Sequence, residues 1–118
     1  MTTITLNQVE TFRQINNTYV FFIHNSSLEL KNASGLYKQI LTILADDSVE
    51  KIVLNLKNVV SMNTSGIGAL LSIYHACTRS DVEFVICNLT NDIDDLLHTT
   101  QVLNILTVAE NEQIALED

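Results

Sequence analysis

Ser61-Met-Asn-Thr-Ser-Gly-Ile-Gly68 is the stretch of this 118-residue chain whose residue types could do chemistry. It leads from an apolar run into a helical pattern. Asn63, Thr64 and Ser65 all have side-chain oxygens that cap helices by accepting bonds from unpaired first-turn N–H groups. Gly66 falls inside that first turn, where glycine costs about 1 kcal/mol of helix propensity against alanine. Its presence implies that something approaches the backbone closely. A helix N-terminus also favours anions, because its N–H groups and the positive end of the helix dipole face outward. A phosphate carried on a hydroxyl of this turn would meet both. The residues alone fit either a plain N-cap or an anion-linked function.

Other chemistry fits the chain less well. Gly66-Ile-Gly68 supplies only the opening of a dinucleotide fingerprint, since position 71 is leucine, and no lysine follows at phosphate-loop spacing. Asn63 stands two residues before Ser65, where a nucleophile elbow needs glycine. His75 lies too far along the same helical pattern to serve Ser65 as a base. No acid–base constellation accompanies the turn, so no enzymatic activity is expected. Cys77 and Cys87 have no metal-ligand spacing, and His24, His75 and His98 are scattered. Two buried thiols in a reducing compartment are expected, with no metal and no cofactor.

The helix after the turn has a second feature. Ser65, Gly68, Ser72, His75 and Arg79 recur at the period of one helical face, with Ala69 and Ala76 at its margin. Small and polar side chains make this either a solvated surface or a flat face against which a partner can dock closely.

Composition narrows the partners. Six Lys+Arg against fourteen Asp+Glu leave a net charge of −8, and the basic residues never cluster. Nucleic-acid binding needs a basic footprint, and an anionic membrane would repel the chain. The longest uninterrupted apolar run, Tyr19 to Ile23, is far too short to span a bilayer, and no secretory signal is visible at Met1-Thr-Thr-Ile-Thr. A single cytoplasmic domain over residues 1–118 is expected, without membrane insertion or nucleic-acid binding.

The elements that position the turn follow from spacing. Ile4-Thr-Leu and Thr11-Phe-Arg-Gln-Ile15 are strand-like, and Thr18-Tyr-Val-Phe-Phe-Ile23 is a strong strand. Asn16-Asn17 between them suits a turn, so an antiparallel hairpin is expected. Ala33, Leu36, Tyr37, Ile40, Leu41 and Leu44 mark one face of a helix beginning near Asn32. Lys51 to Leu56 reads as a strand covered on both faces, Ser65 to Ser80 as a second helix and Glu83 to Cys87 as another buried strand. A third helix over Asn91–His98, capped at Asn91, precedes a weak strand at Ile105–Val108 and a helix over Asn111–Leu116. Alternating strands and helices predict an α/β fold: a mixed four- to five-stranded sheet with an N-terminal hairpin and helices mainly on one face. Sites in such sheets form at the carboxyl ends of strands, where His24–Lys31 and Lys57–Gly66 both arrive.

The run Ile52-Val-Leu-Asn-Leu-Lys-Asn-Val-Val-Ser-Met-Asn-Thr-Ser-Gly-Ile-Gly-Ala-Leu-Leu71 closely resembles the STAS domain of bacterial anti-sigma factor antagonists. That family has an apolar strand followed by an Asp-Ser-Ser/Thr-Gly-Leu/Ile-Gly turn into a helix. The resemblance continues through Glu83-Phe-Val-Ile-Cys-Asn88 and Ala109-Glu-Asn-Glu-Gln-Ile-Ala-Leu116, and Ser26-Ser-Leu-Glu29 takes the place of the family's Gly-Glu-Leu-Asp. It implies the STAS fold and a non-enzymatic partner switch. An anti-sigma factor with serine/threonine kinase activity phosphorylates the first hydroxyl of the turn, and a PP2C-type phosphatase removes the phosphate. The unphosphorylated form binds the anti-sigma factor and releases a sigma factor or another target. Carried over, the acceptor is Thr64, with Ser65 the second candidate. Asn63 replaces the family's aspartate, removing a charge beside the acceptor, and Glu29 matches the neighbouring acidic position. The expected partner-binding surface comprises Ser27, Glu29, Asn63, Thr64, Ser65, Gly66, Gly68, Ser72 and His75. STAS domains also serve as scaffold or transport-associated subunits, which leaves a role without a phosphoswitch as the alternative.

Overall fold

In chain order the elements are β1 (Thr3–Leu6), β2 (Glu10–Ile15), β3 (Thr18–Ile23), β4 (Ser27–Leu28), α1 (Leu30–Leu44), β5 (Lys51–Asn55), β6 (Ser61–Met62), α2 (Thr64–Arg79), β7 (Glu83–Cys87), α3 (Asn91–Thr99), β8 (Thr107–Ala109) and α4 (Glu112–Glu117). The computed structural model describes residues 3–6 and 10–117. The main sheet runs β1-β2-β3-β5-β7-β8. Its first three strands are antiparallel, and β3, β5, β7 and β8 run parallel. The expected mixed sheet is present, and β1 extends it on the outer side of the hairpin to six strands. Asn16 takes the left-handed conformation that the tight turn between β2 and β3 requires, at φ 55°.

Strand alternation divides the interior in two. Phe21, Ile23, Ile52, Leu54, Phe84 and Ile86 point to one face, where they meet Leu36 and Ile40 of α1, Leu70 and Ile73 of α2, and Ile93 and Leu97 of α3. Each such side chain taken fully out of water contributes about 1.5–3 kcal/mol, so this layer dominates stability. The opposite face is smaller: Val20, Val53, Val85 and Cys87 pack under Ala115 of α4. Helices thus cover mainly one face, with α4 alone on the other among the described residues. β5 lies between β3 and β7 with all five residues buried, as a strand covered on both faces should be.

Four local expectations shift. Helix α1 begins at Leu30 rather than near Asn32, because the Asn32 side chain instead caps it: its Oδ1 accepts the Glu29 N–H at 2.8 Å. Leu41, on the apolar stripe by spacing, is 40% exposed; the stripe is wider than the surface α1 lays on the sheet. Helix α3 is capped by Thr90 and not Asn91, with Thr90 Oγ1 accepting the Ile93 N–H and donating to the Val59 carbonyl at 2.7 Å. The weak strand begins only at Thr107, after a 3-10 turn over Val102–Asn104.

Candidate functional site

β4 and β6 are two residues each and pair in parallel outside the main sheet, Ser27 opposite Ser61 and Leu28 opposite Met62. Backbone bonds around them join the two segments that arrive at the carboxyl ends of the strands. The Ser26 carbonyl accepts the N–H groups of Val60 and Ser61 at 2.8 and 3.2 Å, and the Leu28 carbonyl accepts that of Asn63 at 3.3 Å. Gly66 completes the seam. A Cβ there would overlap the Leu28 carbonyl oxygen and stand 2.6 Å from Met62 Cγ, so only glycine lets β4 rest on the first turn of α2.

Asn63 is the N-cap of α2. Its backbone is extended, its Oδ1 accepts the Gly66 N–H at 3.0 Å and its carbonyl accepts that of Ile67 at 3.0 Å. Thr64 is therefore the first helical residue, and it is exposed, whereas Ser65 is half-buried. The first turn of α2 carries no acidic residue and its cap is the neutral Asn63, so its positive dipole end keeps its attraction for an anion. Glu29, exposed, sits at the N-cap of α1 directly after Leu28. Behind it the buried Asn32 donates from Nδ2 to the Ser27 carbonyl at 2.7 Å, holding β4 in place.

Of the expected partner-facing residues, Glu29 and Asn63 are exposed and Ser65 is half-buried at the turn, and the other six fall into two groups. Thr64, Gly68, Ser72 and His75 are exposed along α2; a Cβ on Gly68 would meet nothing within 4 Å, and the His75 ring lies 5.3 Å from that of Tyr74. Gly66 is buried beneath Leu28 and Ser27 is half-buried in β4, so these two shape the turn from behind. A shallow groove between α1 and α2 has Leu30, Ala33 and Tyr37 on one wall and Ser65, Ala69 and Ser72 on the other. Leu30 is 67% exposed. The α1 wall was not anticipated from the sequence, although Leu30 stands three residues before Ala33 and so extends its helical stripe. Leu28 and Asn32 were missed as well, and neither carries a periodic signal.

Among the described residues no three His, Cys, Asp or Glu side chains gather as metal ligands. Cys77 and Cys87 are free and buried, and burial pushes both thiols up to about 12. Among the described residues no helix is long and apolar enough to cross a membrane.

A family model described as the STAS domain matches residues 11–115. The anti-sigma F factor antagonist of Paenibacillus polymyxa is 32% identical over 69 residues, which is 58% of this chain and 59% of that relative. The match thus spans about three-fifths of the relative's length. Solved structures share the fold. An anti-sigma-factor antagonist (STAS) domain protein from Planctomyces limnophilus superposes with a TM-score of 0.78 at 14% identity, covering 91% of this chain and 93% of that one. The Bacillus cell fate determinant SpoIIAA in its phosphorylated form gives 0.71 at 16% identity, covering 92% and 96%. A murine Solute Carrier 26 family anion transporter gives 0.75 at 14% identity, covering 88% of this chain but 18% of the transporter.

Proposed function

The chain belongs to the STAS domain family, and on that premise we propose that it is a phosphorylation-controlled partner switch, a single cytoplasmic domain without catalysis of its own. In its unphosphorylated form it binds an anti-sigma factor that is also a serine/threonine kinase, and so releases a sigma factor or another target. Phosphate on Thr64 ends the binding, and a PP2C-type phosphatase restores it. The observation that carries this reading is the exposed Thr64 hydroxyl at the first position of α2, on a turn held by the Leu28 backbone. The name of the Paenibacillus relative supports an anti-sigma factor as the partner.

The chemistry of the switch is electrostatic. A phosphate adds roughly −1.5 to −2 charges, and the helix N-terminus tolerates them. Little refolding of this protein is expected, because Thr64 points to solvent and the cap bond belongs to Asn63. The cost falls on the partner, which must desolvate a dianion against a surface shaped for a bare hydroxyl. That surface comprises the turn Asn63–Ser65, the outer face of α2 at Gly68, Ser72 and His75, and the exposed Glu29, with Ser27 and Gly66 shaping it from behind.

Incubation of the protein with its cognate kinase and ATP, followed by phosphosite mass spectrometry, tests the reading. Phosphate should appear on Thr64, vanish in Thr64→Ala and persist in Ser65→Ala. Undiminished labelling of Thr64→Ala would move the acceptor to Ser65 or elsewhere. Absence of labelling in the wild type would leave a scaffold or transport-associated subunit without a phosphoswitch.

A further inference from the structure

On the sheet face away from α1, α2 and α3, α4 is the cover for Val20, Val53, Val85 and Cys87. It holds on with little apolar surface. Ala115 is its buried residue and Leu116 is half-buried, while Ile114 is 41% exposed. A helix of six residues is also too short to persist through its own hydrogen bonds.

Its attachment is largely polar. The Glu112 carboxylate takes the Arg13 guanidinium from β2 on one oxygen and the Asn55 side-chain amide from β5, at 2.6 Å, on the other. Near the far end of the helix, Lys51 of β5 donates to the Ala115 carbonyl at 2.6 Å and stands 3.5 Å from Glu83. Asn55 is 4% exposed, and its Oδ1 accepts the Lys57 N–H at 2.9 Å. One buried amide thus ties α4 to the start of the loop that leads to Asn63.

We propose that α4 is a strap, pinned at Glu112, that lifts from the sheet as a unit while the main core stays folded. Lifting uncovers Val53, Val85 and Cys87 and removes the carboxylate partner of Asn55. Segments that open locally are those with few buried apolar contacts, and α4 has the fewest of the helices, whereas α1, α2 and α3 share the large core. This device is independent of the phosphorylation reading.

The two cysteines form a built-in clock. Cys87 lies under α4, and Cys77 is a residue of α2 buried in the main core; both are fully buried, and such thiols are inert while covered. The whole chain is treated with N-ethylmaleimide at pH 8 under native conditions, and initial modification rates are read for each cysteine by mass spectrometry. Cys87 should react at least about tenfold faster than Cys77, because strap opening is more frequent than global unfolding. Glu112→Ala should raise the Cys87 rate by about tenfold more, with the Cys77 rate and the far-ultraviolet dichroism unchanged. Equal rates for the two cysteines in the wild type would overturn the proposal, since opening would then be global. An unchanged Cys87 rate in a folded Glu112→Ala protein would overturn the pin. Should that variant fail to fold, the ratio of rates in the wild type still decides whether the strap lifts alone.

Discussion

The carbonyl oxygen of Leu28 occupies the space that a Cβ on Gly66 would need, with Met62 Cγ 2.6 Å away from the same point. Gly66 therefore gives no flexibility to α2; it is a helical residue whose missing side chain seats β4 against the first turn. The same carbonyl accepts the Asn63 N–H at 3.3 Å. Because a backbone carbonyl cannot swing aside as the end of a side chain could, this contact holds the loop after β3 at a set distance from Thr64.

The two glycines of the turn should consequently respond in opposite directions. Gly66→Ala forces a methyl onto the Leu28 backbone and should destabilise the protein by about 1–3 kcal/mol. Gly68→Ala meets nothing within 4 Å and replaces a poor helix former, so it should stabilise by up to about 1 kcal/mol. Urea unfolding of the pair measures both; a neutral Gly66→Ala would mean that β4 can move.

Opposite sides of α2 should separate binding from stability. Ser72 is exposed and Leu70 is fully buried. Leu70→Ala should cost about 2–5 kcal/mol of stability through the lost packing and the cavity left behind. Ser72→Trp should leave the unfolding midpoint unchanged and weaken binding to the anti-sigma factor. Calorimetric titration that finds full affinity for Ser72→Trp would remove this face from the interface.

Charge at Thr64 should act on the partner and not on the fold. Thr64→Ala should bind constitutively. Phosphothreonine at this position should lose about a hundredfold in affinity, equivalent to about 2.8 kcal/mol, and Thr64→Glu somewhat less because its charge is smaller. Neither substitution should move the thermal midpoint far. Asn63 should behave the other way, since its Oδ1 caps Gly66. Asn63→Ala should cost about 0.5–2 kcal/mol, while Asn63→Asp keeps the cap. A phosphomimetic that unfolds the domain would show that the turn, not the interface, feels the charge.

Alkaline pH should loosen the fold through its thiols. Both cysteines are held at about 12 by burial, against 9.0 for a free thiol, and the Glu112 carboxylate adds to the rise at Cys87. The native state therefore keeps its thiol protons longer than the unfolded chain does. This contribution is fully present below pH 9.0 and is lost progressively as pH rises toward about 12. Denaturation midpoints measured under reducing conditions from pH 7 upward should fall beyond that lower limit. Replacing both cysteines by alanine should flatten that part of the curve, whatever it does to stability at neutral pH.

Local spacing by itself determined much of this protein. The helical stripe from Ala33 to Leu44, the apolar run of β5 and the Asn16 turn each declare their conformation within a few residues, because period and backbone preference are local properties. The same holds for a helix starting beside Thr64, and for the inference that Gly66 marks a close approach. Only the tertiary structure decided what does the approaching. β4 and β6 are two residues long, too short to carry a period, and they exist as strands only because Ser27 and Leu28 find Ser61 and Met62. Leu41 and Leu30 stayed in water because an apolar stripe states which face prefers burial and not how much of it a neighbour will cover. Lys51 went inside for the converse reason: a charged side chain favours water until α4, from the far end of the chain, brings the Ala115 carbonyl against it. Pattern encodes the preference of a residue, and the partner that satisfies it is a long-range hydrogen bond or contact that no local window contains.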